Sequence, residues 1–451
     1  MTAPSAQQKP LMLETIRNAK GVSFSIPFGF FRQILSALLR RPYHLAQGQC
    51  GLQVRKDRVE LLCRSFGILH EGDAYRTRRN GMKGLSYSLA FSTVPIGRPQ
   101  VWRLLALSAW GDPLERPALQ VLLGSGKETG LVTGLLHVGS YSLPLEALRI
   151  IGPGFHKIGT VDFPGDAALP LAEAERQRWS RMIGALGEHA WRTLTSLTYC
   201  IVGVDRLGSL IALSLAKAGV RRIALIDPDR LELHNLAAMD VVTEQDLGRF
   251  KVEAVQDRLS RDFSYSQIFS LPRSLLTPEG VDAAREADVI ITCPGSDAPR
   301  LLAGALACLH LKVLLDISTS VFRRASDSLE ISADIRLLLP GDGCMLCCGG
   351  VANGARALSQ LCEERQEQRT WQEERAGSLR SLNHTAAHLG LTLLENLVAG
   401  RLTHSTWLRL QIDPHGVPSL QTFPLSGVNQ CLLCAATGRG DLLAKEDGDE
   451  V

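Results

Sequence analysis

From residue 199 onward, short apolar runs alternate with segments whose apolar residues recur at helical spacing. The run Tyr199-Cys200-Ile201-Val202 has the unbroken apolar character of a strand buried on both faces of a parallel sheet. Gly203 and Gly208 punctuate the turn after it, and 209–218 carries a helical stripe that Gly219 ends. A second apolar strand, 222–226, closes on Asp227. The alternation continues through helix 251–261, strand 267–271, helix 281–286, strand 288–293, helix 298–309 and strand 312–316. Strands separated by helical runs predict an α/β fold, a doubly wound, mostly parallel sheet covered on both faces. Ligands of such sheets bind beyond the strand carboxyl ends, where Gly203, Asp227 and Cys293-Pro294-Gly295 emerge.

The first third is less regular. Helical spacing over 30–39 and apolar runs at 58–65, 101–108 and 119–123 predict one helix and several strands. Gly124-Ser125-Gly126-Lys127 lacks the eight-residue spacing of a phosphate loop and reads as a hairpin turn, with 131–137 as the returning strand. His137 and His156 have no ligand partners nearby in sequence and read as surface or core histidines. The turn-rich stretch 163–168 marks a linker, and 173–194 has the pattern of one continuous helix. Two domains follow: a smaller α+β unit over 1–162 and the α/β unit over 171–451. Near the end, 382–397 is a further apolar-striped helix. Its His384 and His388 lie one turn apart without a third ligand, which favours a packing role.

Composition narrows the class. Apolar residues make up 45% and charged residues 21%, ordinary for a globular chain with a sizeable core. A net charge of +3 spread over mixed signs does not call for nucleic acid. No apolar stretch approaches a membrane span, and no basic start followed by an apolar core signals secretion, so the expected compartment is cytoplasmic. Eleven cysteines, an odd number partly in Cys-x-x-Cys spacing, suit a metal site better than a disulfide framework.

Two pieces of chemistry stand out. Strand, glycine turn, helix, strand and terminal carboxylate form a nucleotide-binding βαβ unit: the helix amino end favours phosphate, and Asp227 can accept from ribose hydroxyls. Cys344-x-x-Cys347 and Cys431-x-x-Cys434 offer four thiolates for a closed, structural Zn²⁺, with redox or unpaired cysteines as the alternative. Cys348 adjoins Cys347 and can stand in for it as a ligand.

Four motifs in order then resemble the ThiF/MoeB family of adenylating enzymes, which includes the catalytic halves of ubiquitin-activating enzymes. They are Arg178-Trp-Ser-Arg181, the stretch from Asp227-Pro-Asp229 to His234-Asn235-Leu, Gly248-Arg-Phe-Lys251, and the two cysteine pairs. The resemblance implies a Rossmann-like sheet with a zinc-tied C-terminal part, and ATP-dependent adenylation of the C-terminal carboxylate of a ubiquitin-like or sulfur-carrier protein. It implies that Gly203, Gly208, Asp227, Asp229, Asn235 and Lys251 bind the nucleotide. It further implies that Lys251 and Arg181 neutralise phosphate charge, Arg181 reaching into a partner protomer of a homodimer. The polar segment 349–380 resembles the family's crossover loop, and its Cys362 is the implied thioester or persulfide acceptor before a downstream conjugating enzyme.

Three positions depart from the family pattern. Asp205 and Arg206 stand where glycines are expected, Ala238 replaces an arginine, and the Mg²⁺-binding aspartate falls on Gly295, leaving Asp297 to take that role. The first third resembles the JAMM/MPN metalloprotease-like domains that precede the adenylating domain in some bacterial members, yet 107–112 carries no histidine where zinc ligands are expected. A non-catalytic docking domain is the expectation there. Two readings compete for the whole chain, an active adenylyltransferase and a degenerate scaffold that binds a carrier or an active partner. A nicotinamide-dependent oxidoreductase fits the βαβ unit but neither the cysteine pairs nor Arg-x-x-Arg.

Overall fold

The computed structural model describes residues 19, 21–40, 45–55, 58–69, 86–92, 118–125, 130–138, 141–159, 171–323, 329–351, 377–425 and 431–441. The expected strand 101–108, the 107–112 stretch and the linker 163–168 lie outside these residues.

The first unit is built almost wholly of strands: β1 (Gly21–Pro27), β2 (Leu45–Arg55), β3 (Arg58–Cys63), β4 (Gly67–Leu69), β5 (Ser86–Ser92), β6 (Ala118–Ser125), β7 (Gly130–Val138), β8 (Tyr141–Ile151) and β9 (His156–Gly159). Helix α1 (Phe28–Arg40) is the one helix described within it. The pairing order β1-β3-β2-β5-β6-β7-β8 returns from β8 to β1, so the sheet closes into a circuit around its own core. Phe24, Leu61, Leu89, Leu119 and Leu148 fill that core. Strands β6 and β7 form the expected antiparallel hairpin.

The second unit begins with a correction. The helix expected over 173–194 is three short ones, α2 (Glu173–Arg178), α3 (Ser180–Leu186) and α4 (Glu188–Ser196). It breaks at Trp179 and at Gly187, whose φ of +88° suits glycine. On one straight helix residues 179 and 191 would face about 120° apart. Here both indoles converge, 5.2 Å between centroids, and their N–H groups donate to the Lys217 and Ala218 carbonyls. Burying two tryptophans against one helix end overrides the local periodicity.

The remaining elements are β10 (Thr198–Val202), α5 (Arg206–Lys217), β11 (Arg222–Ile226), α6 (Lys251–Asp262), β12 (Gln267–Leu271), α7 (Pro278–Glu286), β13 (Val289–Thr292), α8 (Asp297–Leu309), β14 (Val313–Arg323), β15 (Leu329–Leu338), α9 (Arg380–Val398), β16 (Thr406–Ile412), β17 (Pro418–Pro424) and α10 (Leu432–Ala435). The sheet order is β12-β11-β10-β13-β14-β15-β16-β17. The pairings from β12 to β14 are parallel, and those from β14 to β17 antiparallel. The expected parallel sheet therefore occupies one half, and an antiparallel meander extends the other. Tyr199, Ile201, Leu225, Ile291 and Leu315 bury one face under α5, α6 and α9, while Cys200, Ile290 and Leu314 bury the other under α7 and α8. No described helix is long and apolar enough to cross a membrane.

The two sheets are joined by a charged contact. Arg149 on β8 donates to Glu60 of β3 at 2.8 Å and to Asp288 at 2.5 Å, and Asp288 also accepts from the Thr198 amide that opens β10. Ser25 donates to Glu60 as well. Beside this contact, the Gly154 amide donates to the Leu397 carbonyl, and the His156 and His189 rings stack. Removing the guanidinium leaves two largely buried carboxylates without the cation they share. Arg149→Met is expected to destabilise the protein by about 3 kcal/mol, read as a lower denaturant midpoint. Adding Glu60→Gln should recover part of the loss by removing one of the two like charges. A midpoint equal to wild type would mean that the carboxylates are held well enough without the arginine.

Candidate functional site

The chain leaves β10 toward β11 on one side and returns to β13 on the other, which opens a crevice at their carboxyl ends. Gly203 lies at its floor with φ +86°, and a Cβ there would sit 2.8 Å from the Cys293 carbonyl carbon. Gly208, in the first turns of α5, comes so close to Gly203 that a Cβ would meet its carbonyl oxygen at 2.0 Å. These two glycines let loop, helix and neighbouring strand meet without side chains between them.

Charged groups gather above this floor. Asp227, at the end of β11, accepts from the Val204 amide at 2.7 Å and from the Asp229 amide at 2.9 Å. Burial pushes its carboxyl up to about 6, Lys251 opposing and Asp229 adding to the shift. Lys251 opens α6 with its side chain only 7% exposed, its ammonium 3.1 Å from Asp229 and 3.9 Å from Asp205. Burial disfavours the charged lysine, but Asp205, Asp227 and Asp229 outweigh that and raise its pKa. Asn235 is buried, its amide N–H donating to Asp205 at 3.4 Å while its oxygen accepts from the Glu232 amide. The structure thus brings Asp205, Asp227, Asp229, Asn235 and Lys251 together. Three carboxylates surround one ammonium, an acidic balance for a pocket read as a phosphate site.

Asp205 pairs with Lys251 and Asn235 rather than with the adjacent Arg206. It also precedes α5 without capping it through its side chain. Asp297 is the first residue of α8, in the loop that touches Gly203, and Arg181 is exposed on α3. Neither forms an ion pair with the cluster among the described residues. Cys362 lies outside the described residues.

A second charged assembly escaped sequence reading. Asp316 on β14 is fully buried and accepts from Arg300 at 2.6 Å, Thr292 at 2.8 Å and Arg336 at 3.0 Å. Arg336 continues to Asp334, which accepts from Arg409 and from the Trp407 indole, so charges alternate in sign across three strands. Arg300 also donates to the Pro294 carbonyl, which fixes the loop between β13 and α8. The available signal was an aspartate closing an apolar strand and an arginine inside an apolar helix.

The four paired cysteines converge. The sulfurs of Cys344, Cys347, Cys431 and Cys434 all lie within 4.8 Å of one another, and three of their separations are 3.5–3.6 Å. A tetrahedral ion with Zn–S bonds of about 2.3 Å needs sulfurs roughly 3.8 Å apart, so the set fits Zn²⁺. Cys348 turns away, its thiol donating to the Met345 carbonyl, and does not replace Cys347. The buried Cys308 lies beside Cys344.

Known proteins resemble parts of this chain. HesA of Leptolyngbya boryana is 28% identical over 184 residues, 40% of this chain and 62% of that protein. The sulfur carrier protein ThiS adenylyltransferase of Escherichia coli is 34% identical over 121 residues, 27% of this chain and 48% of that protein. The chain thus spans less than two thirds of these curated relatives. A crystal structure of E. coli MccB with MccA-N7isoASN covers 60% of this chain and 77% of that one, with 17% identity and a TM-score of 0.46. Residues 179–409 match the ThiF family, and the chain belongs to it.

Proposed function

We propose that this chain is an ATP-dependent adenylyltransferase acting on the C-terminal carboxylate of a ubiquitin-like or sulfur-carrier protein. The observation that carries the reading is the meeting of Gly203, Asp227, Asn235 and Lys251 at the strand ends beside the crevice. In this reading a carrier carboxylate oxygen attacks the α-phosphorus of ATP, the bond to the β-phosphate oxygen breaks, and pyrophosphate leaves. Lys251 and, across a homodimer, Arg181 offset the phosphate charge. Asp227, Asp229 and Asn235 orient the nucleotide. Asp297 supplies a carboxylate for Mg²⁺, which shields phosphate charge when bound. Such chemistry rests on positioning and charge stabilisation. The Cys362 thiolate then attacks the acyl carbonyl and AMP departs, leaving a thioester for a downstream conjugating enzyme. The first third, read as a degenerate JAMM/MPN-like unit, serves as a docking domain.

One observation favours the second reading, a scaffold with a disabled nucleotide site: Lys251 is already engaged by Asp205 and Asp229. Carrier-dependent exchange of labelled pyrophosphate into ATP separates the two, and its absence with intact carrier binding would establish the scaffold. Asp205 is the residue to change. A carboxylate about 4 Å from a phosphate oxygen costs about 4 kcal/mol at an effective dielectric near 20, and its partial exposure reduces this. Even about 1.4 kcal/mol is tenfold in affinity. Asp205→Gly is therefore expected to bind Mg-ATP at least tenfold more tightly by calorimetry, with no helix cap lost. Unchanged binding would mean that the carboxylate is tolerated, and weaker binding that it is used, as it would be by bridging to Mg²⁺.

Asp227 sets a pH dependence. Its folded-state value of about 6 exceeds the ordinary 3.8, so between the two the folded chain holds a proton that the unfolded chain has released. Its contribution to stability is present below about pH 4 and lost as pH rises through 6. The ionised form accepts from ribose hydroxyls more strongly than the neutral acid, so nucleotide affinity should climb through pH 6, and Asp227→Asn should flatten that step. A pH-independent wild-type affinity would detach Asp227 from the ribose.

The acyl acceptor is testable directly. With ATP and carrier, a thiol-sensitive adduct should form and disappear in Cys362→Ala. Its persistence there, with loss in Cys348→Ala, would move the role to the other thiol.

A further inference from the structure

We propose that the four-cysteine site latches the two sheets together, through a strap of residues 437–441 that the metal anchors. Among the described residues, β3 pairs with Cys50–Arg55 on one side of strand β2, while on the other β5 pairs with Ala46–Gln49 and leaves the outer edge at 50–55 to another segment. The strap takes that edge. Gly440 bridges Leu52 in parallel register, the Asp441 amide donates to the Leu52 carbonyl at 2.6 Å, and the Val54 amide donates to the Asp441 carboxylate at 3.0 Å.

The other side of the strap binds the second sheet's layer. The Gly438 and Gly440 amides donate to the Cys308 and Leu309 carbonyls, both at 2.9 Å. These are the last carbonyls of α8, which have no partner within the helix. Asp441 also accepts from Arg285 of α7 at 2.6 Å, and the Arg285 carbonyl accepts from Gln53 of β2. One carboxylate thus ties β2 to α7.

The fit leaves no room for side chains. A Cβ on Gly51 would lie 1.8 Å from the Gly438 oxygen, one on Gly438 2.6 Å from the Cys63 oxygen, and one on Gly440 2.2 Å from the Leu52 oxygen. Gly438 and Gly440 also need their positive φ values, +73° and +61°. Interlocking of this kind at three glycines marks a built contact.

The metal ligands lie immediately upstream. The Thr437 amide donates to the Cys434 carbonyl, so the strap starts one turn beyond a ligand. Cys308, which lies beside the ligand Cys344, also accepts from the Gly438 amide of the strap. The latch rests on the reading that the four thiolates hold Zn²⁺. When bound, the ion fixes Cys431 and Cys434 to the 344–347 turn and so sets where the strap begins. Without it, five residues with a handful of hydrogen bonds must bear their own ordering entropy, about 1–2 kcal/mol per residue.

The test is hydrogen–deuterium exchange on the full chain, with zinc content measured on the same samples. Wild-type protein should carry about one Zn²⁺ per chain and protect the Val54 amide, which donates to the strap rather than to β3. Removing the metal with a chelator, or by Cys431→Ser with Cys434→Ser, should speed exchange there at least tenfold. Strand β1, held by β3 and β8, should keep its protection. Asp441→Ala should keep its zinc and still expose the Val54 amide, which supports the strap even where the serine variant does not fold. Protein that carries zinc as purified, and whose Val54 protection survives both metal removal and Asp441→Ala, would overturn the latch while leaving the zinc reading intact. Protein purified without zinc and already protected at Val54 would overturn both.

Discussion

The contact on which the rest of the α/β unit depends is between backbones. Residue 203 must lie against the Cys293 carbonyl, and residue 208 against the carbonyl of residue 203. Any side chain would separate β10 from β13 or lift α5 off the strand ends. Both separations would close the crevice or misdirect the helix amino end. The two glycines therefore answer first to packing, and their presence alone says little about whether a phosphate is bound. What distinguishes this crevice is the charge placed around it.

That charge is unusual in balance. A buried lysine is tolerated because carboxylates repay its lost hydration. Here three do so, and Asp227 resists ionising because it too is buried. The pocket is therefore internally satisfied before any ligand arrives, and a polyanion entering it must displace existing partners. The departure from the family's glycine loop at Asp205 thus has a measurable counterpart in the geometry, a carboxylate 3.9 Å from the lysine ammonium.

The parallel half of the sheet was legible because strands buried on both faces read as near-continuous apolar runs, as 199–202, 223–226 and 289–291 do. The four cysteines were legible because metal ligation demands close pairs. The break in 173–194 was not, because it is caused by Trp179 and Trp191 sharing a docking site 26 residues or more downstream, at Lys217 and Ala218. Nor was the antiparallel meander from β14 to β17. Its strands carry Asp316, Asp334, Arg336 and Arg409, which look like surface positions until they are seen to neutralise one another across the sheet. The closed circuit of the first unit depends on β8 meeting β1 more than a hundred residues away, a pairing without a local signature.

The bridge between Leu52 and Gly440 also orders events in time. Residues are made from the amino end, and domains generally fold as they emerge. Strand β2 leaves the ribosome almost 400 residues before the segment that covers its edge. At about 5–20 residues per second that interval is roughly 20–80 s. Through it, the nascent chain displays that stretch of β2 without the strap, and exposed strand edges pair with other chains. Completion of the first-made unit thus waits on residues made almost 400 positions later, and a ribosome stalled in between would hold a chain without the strap.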